Sequence, residues 1–336
     1  MTIHDVRPRA APLCRAISVA CAVSAALAMR LDAQRVSPAS LEARAVPRAD
    51  TSVTLHVGGG DAAARDVGAR DLVAELRVPK GAGPHPIAIV IHGGCWVTKF
   101  ADARYMRPLA EGLRQEGFAT WTISYRRADE AGGGWPGTFL DVAAQVAQLR
   151  ALAPRYALDL SRVIASGHSA GAHLALWLVA QSKLPVTSAA RAMANALPIH
   201  AVVALDGPGD LVAANSGISE ICGGPVLEQL LSSKPSELPE RWRDASPSAW
   251  LPLGVPQAMV RGGLDARMAT VNGGAGSMPT YAKRARDAGD STWVVVADST
   301  SHFTMLDPEQ PAFAIVVRAM RDAFAAIPTA RRARKQ

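Results

Sequence analysis

The stretch Arg162–Gln181, RVIASGHSAGAHLALWLVAQ, decides the fold. Arg162–Ala165 reads as a short strand and Ala170–Gln181 as a strongly apolar helix. Between them stands Gly167-His168-Ser169-Ala170-Gly171. A strand that turns this abruptly into a helix is the setting of a nucleophile elbow. The turn is so tight that the residues around the serine must be small, and its strain lifts the Ser169 hydroxyl above the sheet. The helix that follows points its N-terminus at Ser169, which favours negative charge developing there. A Gly-x-Ser-x-Gly pentapeptide also arises by chance in glycine-rich loops. The flanking strand and helix carry the assignment.

Working outward, the same alternation of strands and helices continues in both directions. Upstream, Thr51–Val57 and Asp71–Val78 alternate in strand fashion, separated by a turn that includes Gly58-Gly59-Gly60; together they predict an antiparallel hairpin. Pro86–Ile91 is a continuous apolar run that suits a strand covered on both faces. A helix over about 102–116, a strand over Phe118–Tyr125 and a helix over Asp141–Leu152 follow. Downstream, His200–Leu205, Gln257–Val260 and Thr292–Val296 read as strands, and Thr280–Ala288 and Pro311–Ala326 as helices. This rhythm predicts an α/β fold, a mostly parallel sheet with helices on both faces, in a single domain over 51–328. Residues 206–255 are irregular, rich in Pro, Ser and Gly, and suit an insertion over the carboxyl edge of the sheet, where α/β proteins place their ligands.

Two further motifs complete the chemistry implied by Ser169. His92-Gly93-Gly94 comes directly after the strand 86–91 and leads into Cys95-Trp96. Acyl transfer passes through a tetrahedral oxyanion, and prepositioned backbone N–H groups stabilise it. Gly94 or Cys95, with Ala170 after the nucleophile, are the candidate donors. His92 suits an anchoring role in that loop, because the base in this chain order comes late. His302, a few residues after the last strand, is the candidate base. Asp265, between nucleophile and base in sequence, is the candidate acid that orients the imidazole. Asp298, Asp206 and Asp210 are its rivals.

The ends of the chain read differently. Arg7, Arg9 and Arg15 precede the apolar run Ala16–Met29, which is short for a membrane span of roughly 20 residues. Residues 1–33 are therefore expected to be a signal peptide, cleaved after Ala28 or Ala33, and the mature protein to be periplasmic or secreted without stable membrane association. Residues 34–50 read as a disordered lead-in and 329–336 as a basic tail. The formal charge of +7 falls to +5 without residues 1–33, and the tail supplies +4 of that. The body is thus near neutral, which argues against a nucleic-acid partner. Of four cysteines, Cys14 and Cys21 lie in the leader; whether Cys95 and Cys222 pair stays open, and neither has metal-site spacing. Oligomeric state is not legible.

His92-Gly93-Gly94-Cys95-Trp96 and Gly167-His168-Ser169-Ala170-Gly171-Ala172-His173-Leu174 resemble the α/β-hydrolase superfamily, in the branch holding bacterial esterases and kynurenine formamidase-like enzymes. The resemblance runs from about Asp71 to Ala326. It implies the α/β-hydrolase fold, a Ser-His-Asp triad, no cofactor or metal, and hydrolysis of a small-molecule carboxylic ester. An aryl-formamidase or a peptidase would use the same residues; the expected export speaks against the first, and the lack of a large extra domain against the second. A non-catalytic binding protein on this fold would lack the nucleophile, the base or the oxyanion loop. Trp96, next to the oxyanion turn, is placed either beside an acyl pocket that favours short chains or in packing against the strand end.

Overall fold

The computed structural model describes residues 36–57, 70–191, 196–264, 275–298 and 300–328. Its strands are β1 (Thr51–Val57), β2 (Arg70–Arg77), β3 (His85–Ile91), β4 (Ala119–Ile123), β5 (Leu158–His168), β6 (Ala201–Leu205), β7 (Gln257–Gly262) and β8 (Thr292–Ala297). The helices of the first half are α1 (Pro38–Glu42), α2 (Arg107–Gln115), α3 (Gly137–Ala147), α4 (Leu149–Tyr156) and α5 (Ala170–Ala180). Those of the second half are α6 (Leu211–Cys222), α7 (Val226–Leu231), α8 (Pro239–Ala245), α9 (Met278–Asp287) and α10 (Phe313–Ala326).

The strands form one sheet in the order β1-β2-β4-β3-β5-β6-β7-β8. β1 and β2 pair antiparallel, as the alternation of 51–57 and 71–78 predicts, and β2 joins β4 antiparallel; every later pairing is parallel. The sheet is the α/β-hydrolase arrangement expected from the sequence. Parallel strands must be covered on both faces. In β3, Ile87, Ile89 and Ile91 enter one core, while Ala88 and Val90 enter the other. Period-two alternation of one apolar run thus feeds two cores. α5 is buried along its whole length, which explains why its sequence lacks a polar face.

Two stretches differ from expectation. Residues 36–50 belong to the anticipated disordered lead-in, yet they carry α1. Ser37 and Ser40 cap it reciprocally, and Leu41, 1% exposed, sits in the second core. One buried leucine and a capping box fix a segment whose composition alone argues for disorder. Residues 206–255 are more regular than their composition suggests: α6, α7 and α8 lie there, with Leu211, Leu227, Leu230 and Trp242 buried. The predicted leader, the glycine turn 58–60 and the basic tail 329–336 lie outside the described residues. No helix among the described residues is long and apolar enough to cross a membrane.

Candidate active site

The carboxyl ends of three neighbouring strands fall at one level. Ile91 of β3 is in register with Gly167 of β5, and Gly167 with Ala204 of β6. The turns that leave these strands carry His92–Trp96, Ser169 and Asp206, so topology alone brings them together.

Ser169 has φ 56° and ψ −119°, a conformation that L-residues rarely adopt and that costs of order 1–3 kcal/mol. Close packing of backbone holds it there. A Cβ on Gly167 would stand 2.1 Å from Gly171 O, and one on Gly171 would stand 2.2 Å from Ile91 O. Both glycines of the motif are therefore demanded by contact between β5, α5 and the end of β3. The Ser169 N–H donates to Leu205 O at 2.8 Å, which ties the elbow to β6.

His302 lies after β8, and its Nδ1 is 3.0 Å from Oδ2 of Asp206. The carboxylate side chain is fully buried and the imidazole 13% exposed. Asp206 sits directly past β6 with φ 50°, and its N–H donates to Val260 O at 2.8 Å, so its backbone is fixed from the next strand. Asp265, the acid expected from chain order, lies outside the described residues. Asp210 instead caps α6 through Ala213 N–H and pairs with Arg284 at 2.5 Å, and Asp298 is exposed.

Ser169, Asp206 and His302 line one cavity of about 370 Å³ together with Gly94, Cys95, Trp96 and Ala170. No direct hydrogen bond joins the Ser169 hydroxyl to the His302 ring; such contacts are often long until a substrate tightens them. Gly94, Cys95 and Trp96 have φ of 105°, 52° and 57°, and Val97 N–H closes their turn onto Gly94 O at 3.0 Å. The N–H groups of Gly94 and Cys95 have no acceptor among the described residues. Ala170 is the first residue of α5, so its N–H stands outside the helical ladder. These are the donors an oxyanion needs.

Among the supporting residues, His92 has the anchoring position expected for it, whereas Tyr105 and His168 carry no sequence signal for their parts. His92 is buried, its Nδ1–H donates to Gly93 O at 2.7 Å, and its ring stacks on Tyr125 at 4.2 Å. Burial pushes its pKa down to about 4, so it stays neutral and anchors the loop. The Tyr105 hydroxyl accepts from Gly93 N–H at 2.6 Å and donates to His168 Nδ1 at 2.9 Å. His168 Nε2–H in turn donates to the carbonyl oxygen of His302 at 2.9 Å. One chain of hydrogen bonds thus links the oxyanion loop, the elbow and the base loop. Burial holds His168 well below the ordinary histidine range, which keeps its ring neutral and able to both accept and donate.

Cys95 and Cys222 form a disulfide with a Cα–Cα distance of 6.1 Å. It joins the oxyanion turn to the C-terminal end of α6 across the cavity. Trp96 is both packed and at the cavity. Its ring is 2% exposed and packs edge-on against His173, and it also lines the cavity.

The BD-FAE family model matches residues 75–271. No curated protein sequence matches the chain. Among solved structures, a truncated carbohydrate esterase from gut microbiota is similar with a TM-score of 0.61 at 20% identity, covering 84% of this chain and 100% of that one. The thermophilic esterase Est2 from the Planctomycetes species Thermogutta terrifontis, with butyrate bound, gives 0.56 at 18% identity over 75% of this chain and 88% of that one. Thermogutta terrifontis esterase 2 phosphoramylated by tabun gives 0.56 at 17% identity, over 84% and 98%. At these identities the likeness speaks for the fold.

Proposed function

The chain belongs to the BD-FAE family, and from that premise we propose that it is an exported serine esterase acting on small carboxylic esters. One observation carries the reading: the buried Asp206 carboxylate holds His302 by Nδ1, leaving Nε2 for the hydroxyl of Ser169 in the same cavity. In this mechanism Ser169 Oγ attacks the ester carbonyl while His302 Nε2 takes its proton, and Asp206 stabilises the imidazolium. The oxyanion is received by the N–H groups of Ala170 and of Gly94 or Cys95. His302 then gives its proton to the alkoxide, the alcohol leaves, and water activated by the same ring hydrolyses the acyl-enzyme. Asp206 takes the place that chain order gives to Asp265.

Short acyl groups suit the site. The Trp96 indole stands next to the oxyanion turn and is fixed by packing, so it limits the depth available to the acyl chain. The fold neighbour with bound butyrate agrees with this size. Export rests on the leader-like residues 1–33, and the Cys95–Cys222 disulfide suits an oxidising compartment. A panel of 4-nitrophenyl esters from acetyl to palmitoyl, with N-formylkynurenine alongside, tests the reading. Hydrolysis of the short esters is expected; turnover of the formamide alone would replace esterase by formamidase.

A further inference from the structure

The cavity has one wall from each face of the sheet. Cys95, Trp96 and Ile218 pack with the core that receives Ile87, Ile89 and Ile91. Tyr105, Ala101 and Phe303 pack with the core that receives Ala88 and Val90, and that is the core which Leu41 of α1 enters. Pro38, three residues before Leu41, lines the cavity.

The segment that carries Pro38 is pinned at both ends of this second wall. Arg44 pairs with the buried carboxylate of Asp307 at 2.5 Å and with Glu309, both in the loop that follows His302. Glu42 pairs with Arg104 at 3.5 Å, in the turn that carries Tyr105. The hydrogen bond to Asp307 holds the Arg44 pKa above its ordinary value. The end of α1 and the residues just after it are thus tied to both the Tyr105 turn and the base loop, and Pro38 begins that helix at the cavity.

We propose that Pro38 is a specificity-determining residue for the alcohol half of the ester, a role that rests on the serine-esterase reading above. The base must protonate the departing oxygen, so the alcohol leaves past His302. Phe303, whose ring lies 4.9 Å from that of His302, belongs to the second-core wall, and the helix that begins at Pro38 is anchored in the same core by Leu41. The acyl half then lies toward Trp96 and the disulfide.

The test uses the full chain with Pro38→Trp, which adds bulk to this wall, and Pro38→Ala, which removes it. Two ratios of kcat/KM are read: methyl butyrate over 2-naphthyl butyrate for the alcohol, and 4-nitrophenyl acetate over 4-nitrophenyl hexanoate for the acyl chain. Pro38→Trp should raise the first ratio about tenfold, Pro38→Ala should lower it, and both should leave the second within about twofold of the wild type. A folded Pro38→Trp protein with an unmoved alcohol ratio, or one in which only the acyl ratio moves, overturns the assignment. A wild type that hydrolyses none of these esters defeats the esterase reading itself and the assignment with it. If Pro38→Trp proves unfolded by its thermal transition, an unmoved alcohol ratio in Pro38→Ala overturns the assignment instead.

Discussion

Oδ2 of Asp206 lies 3.0 Å from Nδ1 of His302, and the carboxylate is sealed from solvent while the imidazole still reaches the cavity. In the proposed mechanism, this pairing lets Asp206 set the histidine tautomer. Asp206→Asn should lower kcat by about three to four orders of magnitude with little change in KM, because an amide favours the wrong tautomer. Asp265→Asn and Asp298→Asn should cost far less. Steady-state kinetics on 4-nitrophenyl butyrate with the three variants decides among them; a larger loss in Asp265→Asn would return the acid role to that residue.

The acid shows where sequence reading reaches its limit. The elbow was legible because a Gly-x-Ser-x-Gly between strand and helix has one geometry, and His302 because it follows the last strand. The acid has looser requirements. Asp206 and Asp265 both follow core strands in the sequence, and that Asp206, with φ 50° just past β6, stands 3.0 Å from His302 Nδ1 is a relation of the folded chain that no local pattern announces. The Tyr105–His168 link spans 63 residues and carries no local signature. α1 was hidden because its anchor is a single leucine in polar, proline-rich surroundings.

Removing the Cys95–Cys222 disulfide should affect both stability and rate. It closes a separation of 127 residues, and native disulfides of this kind contribute about 2–4 kcal/mol. Cys95→Ser with Cys222→Ser should therefore lower the midpoint of urea unfolding. It should also lower kcat, because Cys95 itself supplies a candidate oxyanion donor whose left-handed conformation the bond helps to hold. Equal kcat values in the oxidised and doubly substituted proteins would show that the turn holds itself.

Acyl-chain preference should follow Trp96. Wild type is expected to favour acetyl and butyryl over octanoyl esters, since each methylene rejected from a fixed pocket shifts discrimination by about 1–3 kcal/mol. Trp96→Ala should move the profile toward longer chains, at a stability cost of about 3–5 kcal/mol for the lost core volume. Chain-length profiles of kcat/KM in both proteins provide the check; an unchanged profile would assign the ring to packing alone.

The buried histidines predict acid lability. His92 and His173 are each pushed down to about 4 by burial, and His168 well below the usual histidine value. Between about pH 6.5 and pH 4 the unfolded chain binds protons that the folded state refuses, so stability falls as pH falls through that window. Each such histidine contributes a slope of up to about 1.4 kcal/mol per pH unit there. Urea unfolding at pH 7.5, 6.0 and 5.0 should show a progressive loss, with little change between pH 7.5 and 8.5. A flat profile from 7.5 to 5 would mean that these rings titrate normally.

The proposed mechanism stands on Ser169 as the nucleophile. The most direct measurement is labelling by a fluorophosphonate probe, followed by mass spectrometry of the modified peptide, in the wild type and in Ser169→Ala. Stoichiometric phosphonylation of the Ser169 hydroxyl is expected in the wild type, none in a folded Ser169→Ala protein, and a loss of esterase turnover by several orders of magnitude in that variant. Labelling at another residue, or a Ser169→Ala protein that keeps its turnover, would contradict it.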